Sequence, residues 1–241
     1  MSLTGKTVLI TGAARRLGKV FALAAARAGA NILLHHSNSP FEAQSVAAEI
    51  RTMGVLVWVL QADFSNPSQT ANLIHQAWRI QPFDALVNNS AIFESLDVEQ
   101  TSLSDWQHHL DINLTAPSLL SQAFAADLPA SSSGRIINIL DWRALRPAAD
   151  HFPYTISKAG LAALTQSLAV AFAPRITVNG LALGAILSPS DGKVSETILK
   201  SVPAQRWADL DEVAQAFLFF LDGPAYITGE ILHLDGGRHL I

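Results

Sequence analysis

A doubly wound α/β domain built on a mainly parallel seven-stranded sheet is the fold that this sequence predicts, on three observations. Apolar, β-rich runs alternate with stretches of helical period along the whole chain. The runs are continuously apolar rather than alternating, as in a sheet buried on both faces. Helical stretches between them supply the crossovers that parallel neighbours need.

Taken in order, Thr7 to Ile10 reads as the first strand and Leu17 to Ala28 as the helix that returns from it. Ile32 to Leu34 precedes a helix over Phe41 to Met53, and Val55 to Leu60 precedes one over Pro67 to Trp78. Ala85 to Val87 is followed by a long helical stretch, Ser104 to Leu128. Arg135 to Leu140 leads to a helix over Tyr154 to Phe172, Ile176 to Val178 to one over Asp209 to Leu221, and Ile231 to Leu234 closes the series. The two least patterned segments, Trp142 to Pro153 and Ala185 to Trp207, both follow strands. Ligands bind beyond the carboxyl ends of strands in such folds, so these segments are expected to wall a site, with 185–207 as a substrate loop.

Composition narrows the function. The chain has 241 residues, a length at which α/β folds form one unit, so a single domain over 1–241 is expected. Hydrophobic residues make up 49% and charged residues 15%, which excludes a disordered chain. No apolar run approaches the roughly 20 residues of a membrane span, and the first ten residues enter a strand pattern directly, so no membrane partner and no export signal are expected. The absence of cysteine removes thiolate nucleophiles, disulfides and cysteine-ligated metals, and suits a cytoplasmic protein. Lys+Arg at 16 against Asp+Glu at 20 gives none of the basic surplus that nucleic acid binding requires. His35–His36 and His108–His109 are adjacent pairs rather than i, i+4 pairs, so no metal site is expected.

Thr11-Gly-Ala-Ala-Arg-Arg-Leu-Gly18 follows the first strand and opens the first helix. Glycine allows close backbone approach, and a helix N-terminus offers free N–H groups and a positive dipole to a pyrophosphate. A plain strand-to-helix turn is the alternative, but the position in the first βα unit favours a dinucleotide. The acidic residue that usually meets the ribose 2′-hydroxyl is missing from Leu34-His-His-Ser-Asn-Ser39, and no carboxylate follows until Glu42. Arg15 would suit a 2′-phosphate instead, which favours NADP over the alternative of a plain surface charge.

Tyr154-Thr-Ile-Ser-Lys158 puts a phenol and an ammonium at i and i+4 on one helix face, where the cation lowers the phenol's pKa. An exposed helical pair has the same spacing. Asp141 ends the strand before this helix, either facing the same crevice or capping a turn. Asn113 lies four residues before Pro117, whose missing N–H leaves the Asn113 carbonyl free and predicts a kink there. Trp142, Arg143 and Arg146 read either as contacts to an anionic substrate tail or as a loop anchor with solvated charges.

These residues together resemble the short-chain dehydrogenase/reductase family over nearly the whole length. The resemblance rests on Thr11-Gly12 to Gly18, Asp63, Asn88-Asn89-Ser90-Ala91, Asn113, Tyr154 with Lys158, and Tyr226-Ile-Thr-Gly229 to Asp235-Gly-Gly237. It implies a Rossmann-type fold in which the tyrosine donates a proton, lysine and asparagine support it through a water relay, and NAD(P)H delivers hydride. Two departures, Arg16 at the usual middle glycine and Asp141 at the usual catalytic serine, look like the pteridine reductase branch, as do Phe93 after the Asn-Asn motif and the ending Asp235-Gly-Gly-Arg-His-Leu. The second strand lacks that branch's usual basic residue, and the usual Pro-Gly after the sixth strand is Leu183-Gly184.

The resemblance therefore implies Tyr154, Lys158, Asp141 and Asn113 as catalytic residues and Arg16, Phe93, Asp141 and Tyr154 as the substrate site. The implied NADP site comprises Gly12, Arg15, Arg16, Leu17, Gly18, Ser37, Asn38, Asp63, Phe64, Asn89, Ser90, Ala91, Tyr154, Lys158, Gly184, Ile186 and Ser188. The expected reaction is NADPH-dependent reduction of a pterin or folate C=N bond by a homotetramer or homodimer. Alternatives are a 3-oxoacyl thioester or other ketone reductase and a nucleotide-sensing protein without catalysis.

Overall fold

A computed structural model describes residues 2–187 and 196–241. Its strands are β1 (Thr7–Ile10), β2 (Asn31–His36), β3 (Val57–Gln61), β4 (Ala85–Asn88), β5 (Gly134–Asp141), β6 (Ile176–Leu183) and β7 (Ile231–Leu234). They form one parallel sheet in the order β3-β2-β1-β4-β5-β6-β7. Its helices are α1 (Arg16–Arg27), α2 (Pro40–Arg51), α3 (Pro67–Ile80), α4 (Leu103–Leu110), α5 (Ala116–Asp127), α6 (Phe152–Phe172), α7 (Glu196–Lys200) and α8 (Leu210–Asp222). The chain winds outward from β1 to β3 and then returns to place β4 on the other side of β1. The crevice outside the carboxyl ends of β1 and β4 is thus the topological switch point, where such sheets bind ligands.

Continuous apolar strands follow from burial on both faces. Val8, Ile10, Ile32, Leu34, Ala85 and Val87 enter the core layer that α1, α2 and α8 cover, where Phe21 and Phe217 pack at 4.6 Å. Leu9, Leu33, Leu86, Ile136 and Val178 point the other way, to the layer under α3 and α5. Successive residues of each strand alternate between the two layers.

The long helical stretch divides at the predicted kink. α4 starts at a capping box on Ser102 and Asp105, and a π-helical turn over Asp111–Thr115 joins it to α5. Pro117 lies in the first turn of α5, where its missing N–H is tolerated. Two 3-10 turns, Trp142–Ala144 and Arg238–Leu240, and the short α7 are structure that apolar periodicity did not indicate. No helix among the described residues is long and apolar enough to cross a membrane.

Candidate functional site

The site lies at the carboxyl ends of β1, β4, β5 and β6. After β1 the chain makes a tight loop and begins α1 at Arg16. Gly18 is required there by contact: a Cβ would sit 2.0 Å from the Gly12 carbonyl oxygen. No side chain caps the N-terminus of α1 and its first turn holds no acidic residue, so an anion would meet the free N–H groups and the helix dipole unopposed. Arg16 takes φ +50°, the left-handed region that favours glycine, which fits its standing where the family uses glycine.

Neighbouring segments fix this loop. The Thr11 hydroxyl donates to the Val87 carbonyl (3.1 Å) and accepts from the N–H groups of Asn89 (2.9 Å) and Ser90 (3.0 Å). The Asn89 amide donates to the carbonyls of Thr11 (2.7 Å) and Gly12 (3.3 Å). His35 is a residue that sequence reasoning passed over. Its Nδ1 accepts from the Gly12 N–H at 3.1 Å, which leaves Nε2–H to donate to the Ala62 carbonyl at 3.0 Å. Its ring stacks on Phe64 at 4.5 Å. Burial lowers its pKa to about 4, so the neutral imidazole that can accept from Gly12 persists at physiological pH.

Arg15 is exposed, with its guanidinium 3.9 Å from the Glu42 carboxylate. Ser37 and Asn38 are exposed after β2, and Asp63 after β3 accepts from the Ser65 N–H at 2.9 Å. Ala91 is exposed beyond β4, while Leu17 packs partly into the core. After β6, Gly184 has no room for a side chain, since a Cβ would lie 2.6 Å from the Cα of Asp235. The Ile186 side chain is buried in the core, so only its backbone can line a cofactor site. Ser188 and part of the expected substrate loop lie outside the described residues.

Four of the predicted side chains form a tight group. Asp141 ends β5 and does both things its position allowed: Oδ1 accepts from the Arg143 N–H (2.9 Å) and caps a turn, while Oδ2 accepts from the Tyr154 hydroxyl (3.2 Å). Lys158, one turn further along α6, is buried, donates from Nζ to the Ile139 carbonyl at 2.7 Å and lies 5.8 Å from the Tyr154 ring. The half-exposed Phe93 meets Tyr154 edge-on at 4.7 Å and stacks on His151 at 4.0 Å. Burial, then the Asp141 carboxylate, raise the Tyr154 phenol well above its ordinary value of 10, and the Arg143 charge opposes them. Burial brings the Lys158 ammonium down to about 8, with Asp141 opposing.

Asn113, in the π turn, is fully buried. Its side chain accepts from the Ile92 N–H (2.9 Å) and donates to the Ile92 carbonyl (3.1 Å) and the Ser157 hydroxyl (3.0 Å). It thus ties the segment that carries Phe93 to the helix that carries Tyr154. Among the described residues, no group of three His, Cys, Asp or Glu side chains could hold a metal ion.

Residues 6–199 match the family model described as short chain dehydrogenase, and the chain belongs to that oxidoreductase family. A 3-oxoacyl-[acyl-carrier-protein] reductase of Synechocystis is 34% identical, over 98% of each chain. FolM alternative dihydrofolate reductase 1 from Brucella canis, solved with NADP, superposes with a TM-score of 0.91 at 33% identity, covering 100% of this chain and 97% of that one. A gluconate 5-dehydrogenase from Burkholderia cenocepacia, solved with NADP and tartrate, gives a TM-score of 0.91 at 28% identity with the same coverage.

Proposed function

We propose that this chain is an NADPH-dependent reductase of a pterin- or folate-type C=N bond. The observation that carries the reading is the hydrogen bond from the Tyr154 phenol to Asp141, with the Phe93 ring beside it. The uncapped N-terminus of α1, the loop held by His35, Thr11 and Asn89, and Arg15 suit a dinucleotide with a 2′-phosphate. When bound, NADPH supplies a hydride to the carbon of the C=N bond.

The chain handles the proton. Tyr154 is kept as the phenol by burial and by Asp141, so it acts as the acid: its O–H bond breaks as an N–H bond forms on the substrate. Asp141 accepts from the phenol between turnovers and couples it to the proton supply from solvent. Lys158 holds ribose hydroxyls and, as the ammonium, steadies negative charge developing on the phenol oxygen. Phe93 and Arg16 frame a planar substrate, and Asn113 holds Phe93 and α6 in register. Turnover should therefore fall as pH rises through about 8 and Lys158 loses its charge.

A 3-oxoacyl thioester reductase is the second reading, supported by the Synechocystis relative. NADPH oxidation followed with dihydrobiopterin, dihydrofolate and acetoacetyl thioester separates the two. Turnover of the thioester alone rejects the pterin assignment, and NADPH binding without turnover of any substrate revives a sensing role. The same reading includes a cytoplasmic location, tested by fractionation, and a homotetramer or homodimer. The small residues Gly160 and Ala163 beside Leu114 and Ser118, in a groove of residues from the π turn, α5 and α6, suit subunit packing there. Light scattering in solution tests that assembly.

A further inference from the structure

Asp141 is held in a way that proton transfer alone does not account for. Its two oxygens are divided: Oδ2 faces Tyr154, while Oδ1 is occupied entirely from Arg143, by the backbone N–H at 2.9 Å and by a guanidinium nitrogen at 3.7 Å. That guanidinium is largely buried. Its other terminal nitrogen donates to Asp150 at 2.7 Å, and its central carbon Cζ lies over the Trp142 indole, 4.9 Å from the ring centre. Arg238, from the last 3-10 turn, lies 4.2 Å from the same indole. The ionisable groups around the pair are thus Arg143, Arg238 and Asp150 from the two turns and the loop, His151 just before α6, and Lys158 within α6; His151 lies 3.8 Å from Asp150.

We propose that Arg143 is a positioning residue of the reaction, fixing Asp141 with one oxygen turned to Tyr154 and balancing its negative charge there. The proposal rests on the reading of Tyr154 and Asp141 as the proton-handling pair. A carboxylate beside a buried phenol rotates freely unless its other oxygen is bound, and its charge is costly in a dry site unless a cation faces it. Arginine meets both needs because its planar fork spans two carboxylates while its face stacks on an indole, an arrangement lysine's point charge reproduces only in part. Backbone capping by the Arg143 N–H would remain in any variant, so the side chain's share can be isolated.

The test is a double-mutant cycle of Arg143→Gln and Asp141→Asn, with Arg143→Lys as the conservative variant. Arg143→Gln should lower kcat about tenfold to a hundredfold and leave NADPH affinity within about twofold, because loss of alignment acts on the reacting groups. Arg143→Lys should recover part of that loss, by restoring the charge without the fork. In the Asp141→Asn background, Arg143→Gln should cost less than about twofold, since it acts through Asp141. An equal cost in both backgrounds, or no recovery with lysine, overturns the proposal.

A second measurement needs no substrate. With [13Cζ]tyrosine in the whole protein, Arg143→Gln should shift the Tyr154 resonance more where Asp141 is present than in Asp141→Asn, where only the direct effect of the Arg143 charge remains. A shift of equal size in both backgrounds, or none in either, overturns the proposal even if the pterin and thioester assays fail, whereas failure of those assays alone rejects only the substrate reading.

Discussion

Tyr154 is one of two tyrosines in the chain, and the other, Tyr226, is fully exposed. Phenolate absorbance therefore reads the buried phenol against a solvent-exposed reference. Asp141→Asn removes a negative neighbour while burial persists, so Tyr154 should ionise at lower pH than in the unmutated protein. An unchanged alkaline titration would show that Asp141 does not govern the phenol. Lys158 has the opposite sign. Its ammonium is depressed from 10.5 to about 8, so the native state binds fewer protons than the unfolded chain between those values, and stability rises with pH across that window. Below about 8 the cost of burying the charge is fully present. Thermal melts of the unmutated protein and of Lys158→Met should therefore move in favour of the unmutated protein between pH 8 and 10. Glu42 lies 3.9 Å from Arg15, the residue proposed to meet the 2′-phosphate. Glu42→Gln should tighten NADPH binding about twofold to fivefold, as expected for release of an exposed pair, and leave NADH binding unchanged. The i, i+4 spacing of Tyr154 and Lys158 made that pair legible in the sequence, and the strand-end position did so for Asp141. His35 was not, because its partners, Gly12 and Ala62, come from two other segments that only the folded sheet brings to it.

The helix pair around Asn113 shows what an element owes to its surroundings. Proline at 117 made a break legible, but not its form, a π-helical turn over five residues in which the Ala116 N–H reaches back to the Asp111 carbonyl. That form is set by tertiary partners, Ile92 on one side and Ser157 on the other, and periodicity carries no information about them. Asn113→Ala should remove three hydrogen bonds of a buried side chain at about 1 kcal/mol each and so destabilise the fold by about 3 kcal/mol, measured by denaturant midpoint. Pro117→Ala returns a backbone N–H to the turn and should leave the midpoint unchanged or raise it, while kcat falls as Phe93 and Tyr154 lose their register. Equal kcat in that variant would remove the π turn from the catalytic argument.

At the scale of the molecule, the order of strands and helices was legible because each strand contributes side chains to two apolar layers, which erases alternation and leaves continuous runs. Strand ends were less so. β6 runs to Leu183 although its apolar signal weakens at Asn179 and Gly180, where pairing with β5 and β7 sustains it. Because the two halves of the sheet meet at β1 and β4, a dinucleotide bound at their carboxyl ends would bridge both halves and should stabilise the whole cooperative unit. NADPH at a hundred times its Kd should add about 2.7 kcal/mol, roughly 5 to 10 °C in Tm, and NADH at the same concentration less. Equal shifts with the two nucleotides would reject the 2′-phosphate role of Arg15.

The last turn, residues 238–240, is tied to the loop after β5 by Arg238 against Trp142 and by Arg146 donating to the His239 carbonyl, while His239 pairs with Asp235 behind the Gly184 bend. Handling of the protein follows from that. A purification tag or protease scar joined directly after Ile241 loads a strut of the site, whereas one placed before Ser2 lies at the opposite end of β1. Preparations that differ only in which end carries the tag should melt alike and differ in specific activity.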